Sequence, residues 1–170
     1  DPFVGRGSHL PDVASLAPMF RDGELVLFVS NIAHHSDIGG MAPGSMAGGM
    51  TEIYQEGLRI PPIRIVQEDK ILQDVFDLVL LNVRVPNERR GDYMAQIAAN
   101  RLGNRRLTEL FKKWSKKEIE RGCSAIIDAV TRRMRISIAE LPDGEYKFED
   151  VLDDDGMGTE FGREVKSGNF

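Results

Sequence analysis

Two β-prone runs, residues 13–20 and 24–32, meet at Arg21-Asp22-Gly23-Glu24, and this junction constrains the fold more than any other feature. Asp-Gly between such runs favours a two-residue turn, and the turn sets the register of the strands it joins. With Arg21 opposite Glu24, facing residue numbers sum to 45, so Asp12 opposes Ala33, Pro11 opposes His34 and His9 lies across from Ser36. Pro18 demands an edge position or a bulge, which leaves a one-residue slip open.

After the hairpin, the stretch 38–49 is too rich in glycine for regular structure and reads as a mobile or ligand-wrapping loop. Residues 59–66 read as a strand interrupted by Pro61 and Pro62. Helices follow. Residues 71–81 are apolar nearly throughout and predict an almost fully buried helix, and 91–102 continues as a second. Leu107, Leu110, Phe111 and Trp114, then Cys123, Ile126, Ile127, Val130, Met134 and Ile138, keep helical spacing, which predicts two packed helices separated at Gly122 and meeting through Trp114 and Ile127. A strand over 146–152 returns after the Pro142-Asp143-Gly144 turn. The expected class is α+β, an N-terminal antiparallel hairpin region followed by a mainly helical half.

At 170 residues and 41% hydrophobic, the chain can bury one core. No apolar run approaches the ~18 residues a membrane span needs, so no membrane partner is expected. A net charge of -5 argues against nucleic acid. The basic stretch 105–121 reads as a solvated helix face. One cysteine, Cys123, sits in an apolar repeat and reads as a small core residue in a reducing, cytoplasmic setting. The chain begins at Asp1 rather than methionine, which reads as a fragment or processed product.

All three histidines fall within the first 35 residues, an arrangement random placement yields roughly once in a hundred. The hairpin brings them to one end. His9 and Asp12 flank a rigid proline, and His34-His35-Ser36-Asp37 adds two imidazoles and a carboxylate. Two histidines with one carboxylate leave open positions on a divalent ion, which can then polarise a carbonyl or acidify water. His34 and His35 point to opposite sides of a strand, so only one shares a face with His9 and Asp12. Surface histidines near a turn are the competing reading.

Further carboxylates and cations surround this set. Glu52 and Glu56 lie four apart, and either offers a general base, Glu52 being the candidate together with Asp37. The alternative is that they cap and solvate a short helix starting at Thr51. Arg84, Arg89 and Arg90 could receive a phosphate or carboxylate, or could pair with Asp92 and Glu88. Asp153-Asp154-Asp155-Gly156 lacks the spacing of a calcium loop and reads as an exposed acidic turn.

Several blocks in order make the sequence recognisable: residues 1–12, ending in His9-Leu10-Pro11-Asp12; His34-His35-Ser36-Asp37-Ile38-Gly39-Gly40; Ala42-Pro43-Gly44-Ser45; residues 51–62; Asn82-Val83-Arg84-Val85-Pro86; and Gly91-Asp92 with Ala95-Gln96-Ile97. Together they resemble the hydantoinase B / 5-oxoprolinase family, related to ketone carboxylase subunits, over residues 1–156. Residues 157–170 read as an irregular tail unlike the family's continuation, and full members are longer at both ends. The resemblance implies ATP-coupled hydrolysis of a small cyclic amide, or chemistry on a related carbonyl substrate. It also implies a hydantoinase A-type partner subunit that binds ATP, an oligomeric full complex, and a divalent ion (Mn, Zn or Fe) on this side. Carried over by position, the ligands are His9, Asp12 and His34. A non-catalytic metal-binding or docking piece, or part of a ketone carboxylase, are the alternatives.

Overall fold

The computed structural model describes residues 9–151 and 164–166. In chain order these residues form β1 (Asp12–Arg21), β2 (Glu24–His34), α1 (Ile53–Glu56), β3 (Val66–Gln67), β4 (Lys70–Ile71), α2 (Gln73–Leu81), α3 (Pro86–Lys113), α4 (Lys116–Ala139), β5 (Glu149–Val151) and β6 (Glu164–Lys166). An antiparallel hairpin leads into a helical half, so the class is α+β. The chain divides into two compact units, residues 1–107 and 108–170. Among the described residues no helix is long and apolar enough to cross a membrane.

In the first unit, Asp22 and Gly23 take φ of 53° and 82°, the positive pair that a two-residue turn between twisted strands requires. Arg21 faces Glu24 as the turn predicts, but the register shifts between Met19 and Phe20, where Phe20 pairs with Leu25 and Met19 with Leu27. Val26 is left as the extra residue. Beyond this bulge Asp12 faces His34 and Val13 faces Ala33, which corrects the expected pairing of Asp12 with Ala33. Pro18 opposes Phe28 in a sheet of only two strands, where either strand is an edge.

One face of the hairpin lies on α3. Asn31 Nδ2 donates to the Gln96 carbonyl and to Asn100 Oδ1, both at 2.9 Å, and Asn100 Nδ2 donates to Ser15 Oγ at 2.9 Å. The approach is close enough that a Cβ on Gly103 would stand 2.6 Å from Val29 Cγ1. Leu16, Phe20, Phe28 and Ile32 alternate onto the opposite face and are exposed.

The core lies where α2 meets the start of α3: Phe76, Val79, Leu80, Val83 and Tyr93, with Val13, Leu58, Ile60 and Ile71 packed around them. α2 is therefore one-sided. Leu78 and Leu81 are exposed, contrary to the expectation of an almost fully buried helix, because its apolar run exceeds the single face that packs. Pro86 opens α3, a position where its missing N–H costs no helical bond. The expected segments 91–102 and 107–114 belong to this one 28-residue helix, save Trp114, which follows its last residue.

Residues 59–66 do not form the expected strand. Only Val66 joins one, the two-residue β3, since the two prolines remove donors from the rest. The glycine-rich stretch is irregular as expected, but it is tied to the chain. Ile38 N donates to Ser45 Oγ at 2.7 Å, Ser45 Oγ to the Gly39 carbonyl at 2.9 Å, and Leu58 N to the Ile38 carbonyl at 2.9 Å. Gly39 has φ of 91°, and a Cβ there would stand 2.4 Å from the Asn82 carbonyl oxygen.

In the second unit the helical break falls at Ser115, not at Gly122, which sits inside α4. Ser115 N donates to Glu118 Oε2 at 2.8 Å and Glu118 N to Ser115 Oγ at 3.3 Å, a reciprocal pair that starts a new helix. The expected packing through Trp114 and Ile127 is not found: the two are 52% and 65% exposed. Ile126, Val130, Met134 and Ile138 are exposed as well, so among the described residues of this unit nothing covers the apolar stripe of α4. Cys123 is exposed, not the small core residue expected. The strand expected over 146–152 shrinks to β5, paired antiparallel with β6. β6 lies within 157–170, where no regular structure was expected; the rest of that tail and the acidic turn at 153–156 lie outside the described residues.

Candidate metal centre

The bulge sets Asp12, at the first position of β1, directly across from His34, at the last position of β2. His9 precedes the strand by a turn closed by Asp12 N donating to the His9 carbonyl at 3.1 Å. This turn folds the histidine back over the carboxylate. Asp12 Oδ1 stands 2.7 Å from His34 Nδ1, and Asp12 Oδ2 stands 3.5 Å from His9 Nδ1. The two imidazoles meet edge to face, with centroids 6.0 Å apart. One donor atom from each of the three residues lies within 4.8 Å of the others.

The hydrogen bond to His34 pulls the Asp12 carboxyl below its ordinary value. Desolvation opposes that shift, and the charges of His34 and His9 assist it. The carboxylate is thus held ionised, as a ligand must be. Donors about 2.1 Å from a shared divalent ion lie roughly 3 Å apart, and the contacts of Asp12 with His34 at 2.7 Å and with His9 at 3.5 Å bracket that spacing. The donor set is therefore chemically and sterically fit for a divalent cation. Both histidine side chains are about half exposed, leaving room for water or substrate to complete a coordination shell. Beside His34 an open groove of about 410 Å³ runs between β2 and α3, bordered by Ile32, Ser36, Arg89, Asp92 and Ala95.

His35 leaves this cluster, as strand alternation requires. It is buried, stacks on Tyr93 with centroids 4.4 Å apart, and meets Gln96 Oε1 through Nε2 at 2.9 Å. Burial pushes the Tyr93 hydroxyl up to about 12, slightly countered by Arg89 and reinforced by Asp92.

The two candidate catalytic carboxylates are not part of the three-residue cluster. Asp37 is buried and accepts from the amides of Gly39, Gly44 and Arg84 at 2.9, 3.0 and 3.0 Å and from Arg84 Nη1 at 3.0 Å. Burial alone would raise its carboxyl, but these donors outweigh it and hold the value at about 2. Such a group anchors the loop and is poorly suited to trade protons near neutrality. Glu52 is exposed and caps α1, with its own amide and that of Thr51 donating to Gln55 Oε1 at 3.0 and 2.7 Å. That is the capping alternative, displaced by one residue from Thr51.

The three arginines are engaged within the chain. Arg84 donates to Asp37 and to the carbonyls of Gly40 and Ala42, both at 2.8 Å. Arg89 pairs with Asp92 at 2.8 Å and contacts Ser36 Oγ, and Arg90 reaches Asp77 at 3.4 Å over the Phe76 ring. Two buried amides that tie the hairpin to α3 escape sequence reasoning: Gln96 and Asn100, each bonded to both hairpin strands. The signal was a row of amides at four-residue intervals, Gln96, Asn100 and Asn104, along one helix.

A hairpin carrying two imidazoles and a carboxylate at its open end, backed by a long helix, defines a candidate metal-binding domain. The profile of the Hydantoinase B/oxoprolinase family matches residues 1–167. The chain is 36% identical over 152 residues to the caprolactamase subunit beta of Pseudomonas jessenii, covering 89% of this chain and 26% of that one. The crystal structure of the ATP-dependent caprolactamase from the same organism superposes with a TM-score of 0.78 at 35% identity, over 86% of this chain and 25% of that chain. A nucleotide-free acetone carboxylase matches with a TM-score of 0.59 at 26% identity, over 62% of this chain and 14% of that one. The protein belongs to the Hydantoinase B/oxoprolinase family. It spans about a quarter or less of the length of the relatives it matches.

Proposed function

We propose that this chain supplies the divalent-metal site of an ATP-coupled cyclic amide hydrolase, with His9, Asp12 and His34 as ligands. One observation carries the reading: a carboxylate lies within 2.7 and 3.5 Å of two half-exposed imidazoles. A bound divalent ion would act as a Lewis acid on a ring carbonyl or lower the pKa of an attacking water. Asp12 holds His34 in one orientation through their hydrogen bond, and His9 closes the site from the turn. The groove beside His34 gives a small cyclic amide or related carbonyl substrate room to approach. Membership of a family with a caprolactamase subunit supports an amide substrate. Subunit names among the relatives support a second chain in an oligomeric complex, and the ATP dependence of the similar caprolactamase supports ATP binding there; in this reading that chain is of hydantoinase A type and the setting is cytoplasmic. Similarity to acetone carboxylase favours ketone carboxylation as the second reading, with the same three ligands.

Titration calorimetry with Mn²⁺, Zn²⁺ and Fe²⁺ tests the site. One ion per chain is expected, with affinity falling as the solution is acidified, because an imidazole must be neutral to ligate. His34→Ala should remove most of the affinity. Equal binding by the parent and this variant would overturn the assignment.

A further inference from the structure

Gln96 projects from α3 and is 6% exposed, and its amide reaches a neighbour of two of the three proposed ligands. Its Nε2 donates to the Val13 carbonyl at 2.8 Å and to Asn31 Oδ1 at 2.9 Å, while its Oε1 lies 2.9 Å from His35 Nε2. A carbonyl only accepts, so Val13 fixes which end of the amide carries nitrogen. The oxygen therefore faces His35, which must donate through Nε2. Val13 follows Asp12 in β1, and His35 follows His34 at the end of β2. A single buried side chain thus holds the residue after each of these ligands against the same turn of α3.

We infer that Gln96 is a positioning residue for the cation site, fixing the spacing of Asp12 and His34 through the residues that follow them. The inference rests on the proposed divalent site, but its geometry exists without the ion. Two flexible strand ends would otherwise fray independently, since these ligands occupy the first and last residues of the two-stranded sheet. Asn100 provides an internal control. It sits one turn further along α3 and makes bonds of the same kind to Ser15 Oγ and Asn31 Nδ2, but it touches no residue that adjoins a ligand. Gln96→Met and Asn100→Leu should both lower the unfolding free energy by removing buried hydrogen bonds.

Only the first should loosen the site. Calorimetry with Mn²⁺ on the full chain should show Gln96→Met weakening binding by about 10–100-fold, the range for residues that orient metal ligands, with Asn100→Leu near the parent. Nitrogen NMR of the metal-free protein gives an independent readout. His34 should report one tautomer in the parent and in Asn100→Leu, with its proton on Nδ1 toward Asp12, and a mixture in Gln96→Met. Gln96→Glu keeps the acceptor for His35 but loses both donors, and should move the same signals if the methionine variant does not fold. An unchanged His34 signal in the Gln96 variants, or equal changes in the Asn100 control, would overturn the inference. Absence of Mn²⁺ binding to the parent would instead overturn the metal site, and the tautomer signal would still decide the role of Gln96.

Discussion

Asp12 and Asp37 stand at the same open end of the hairpin, and their neighbours give them different work. Asp12 shares its oxygens with two imidazoles that solvent also reaches, the arrangement on which the proposed cation site rests. Asp37 has four donors on two oxygens, none of them exchangeable for a ligand without opening the loop. The sequence could place both carboxylates near the histidines, but the saturation of Asp37 depends on Arg84, 47 residues away, and no local spacing reveals it. A pH dependence follows. The Asp37 carboxyl is lowered in the folded protein from 3.8 to about 2, so its stabilisation is complete above the unfolded value and fades as pH falls through the folded one. A shift of that size corresponds to about 2 kcal/mol. Urea melts of the parent and Asp37→Asn should differ by at least this much near pH 7, with the gap shrinking as pH falls from ~4 to ~2. A gap that stays constant across that window would contradict the role.

At the level of elements, the hairpin was legible because an Asp-Gly turn is a local signal, and the turn pairs as expected. The bulge was not. It arises where β2 must keep Asn31 and Val29 against α3 while the turn keeps Arg21 opposite Glu24, and one residue, Val26, absorbs the mismatch. The slip that Pro18 left open is what places Asp12 opposite His34. The break before α4 was written in the Ser115 and Glu118 pair, although the glycine at 122 is the more conspicuous punctuation. Contact between hairpin and helix leads to a test at Gly103. Alanine there gains about 1 kcal/mol of helix propensity, yet its Cβ would stand 2.6 Å from a methyl of the stiff Val29 side chain. Overpacking of this kind costs about 1–3 kcal/mol. Gly103→Ala should therefore destabilise the protein by denaturant melt, and the loss should shrink or reverse in a Val29→Ala background. Simple additivity of the two changes would show that the contact is not the cause.

At the scale of the molecule, the apolar residues described divide between a small core and long exposed faces, and sequence periodicity could not tell these apart. Phe76 in α2 and Trp114 beyond α3 both sit at helical spacing among apolar neighbours. Phe76 is 2% exposed and packs edge to face on Tyr93 with centroids 5.7 Å apart, whereas Trp114 is 52% exposed. Helical spacing shows that a residue shares a face with its neighbours, but burial depends on whether another element covers that face. Around Phe76 the cover comes from Tyr93 of α3, from Ile71 of β4 and from Leu58 and Ile60 in irregular chain. The two truncations should thus differ sharply although the tryptophan is larger. Phe76→Ala removes a ring from a filled site and should cost about 3–5 kcal/mol. Trp114→Ala removes a ring that water already reaches, and should cost about 1 kcal/mol or less, as substitutions outside the core commonly do. Chemical denaturation of the two variants decides between coverage and periodicity as the source of stability. A loss at Trp114 as large as that at Phe76 would mean that this ring is covered in solution and that the α4 stripe has a partner surface within the chain.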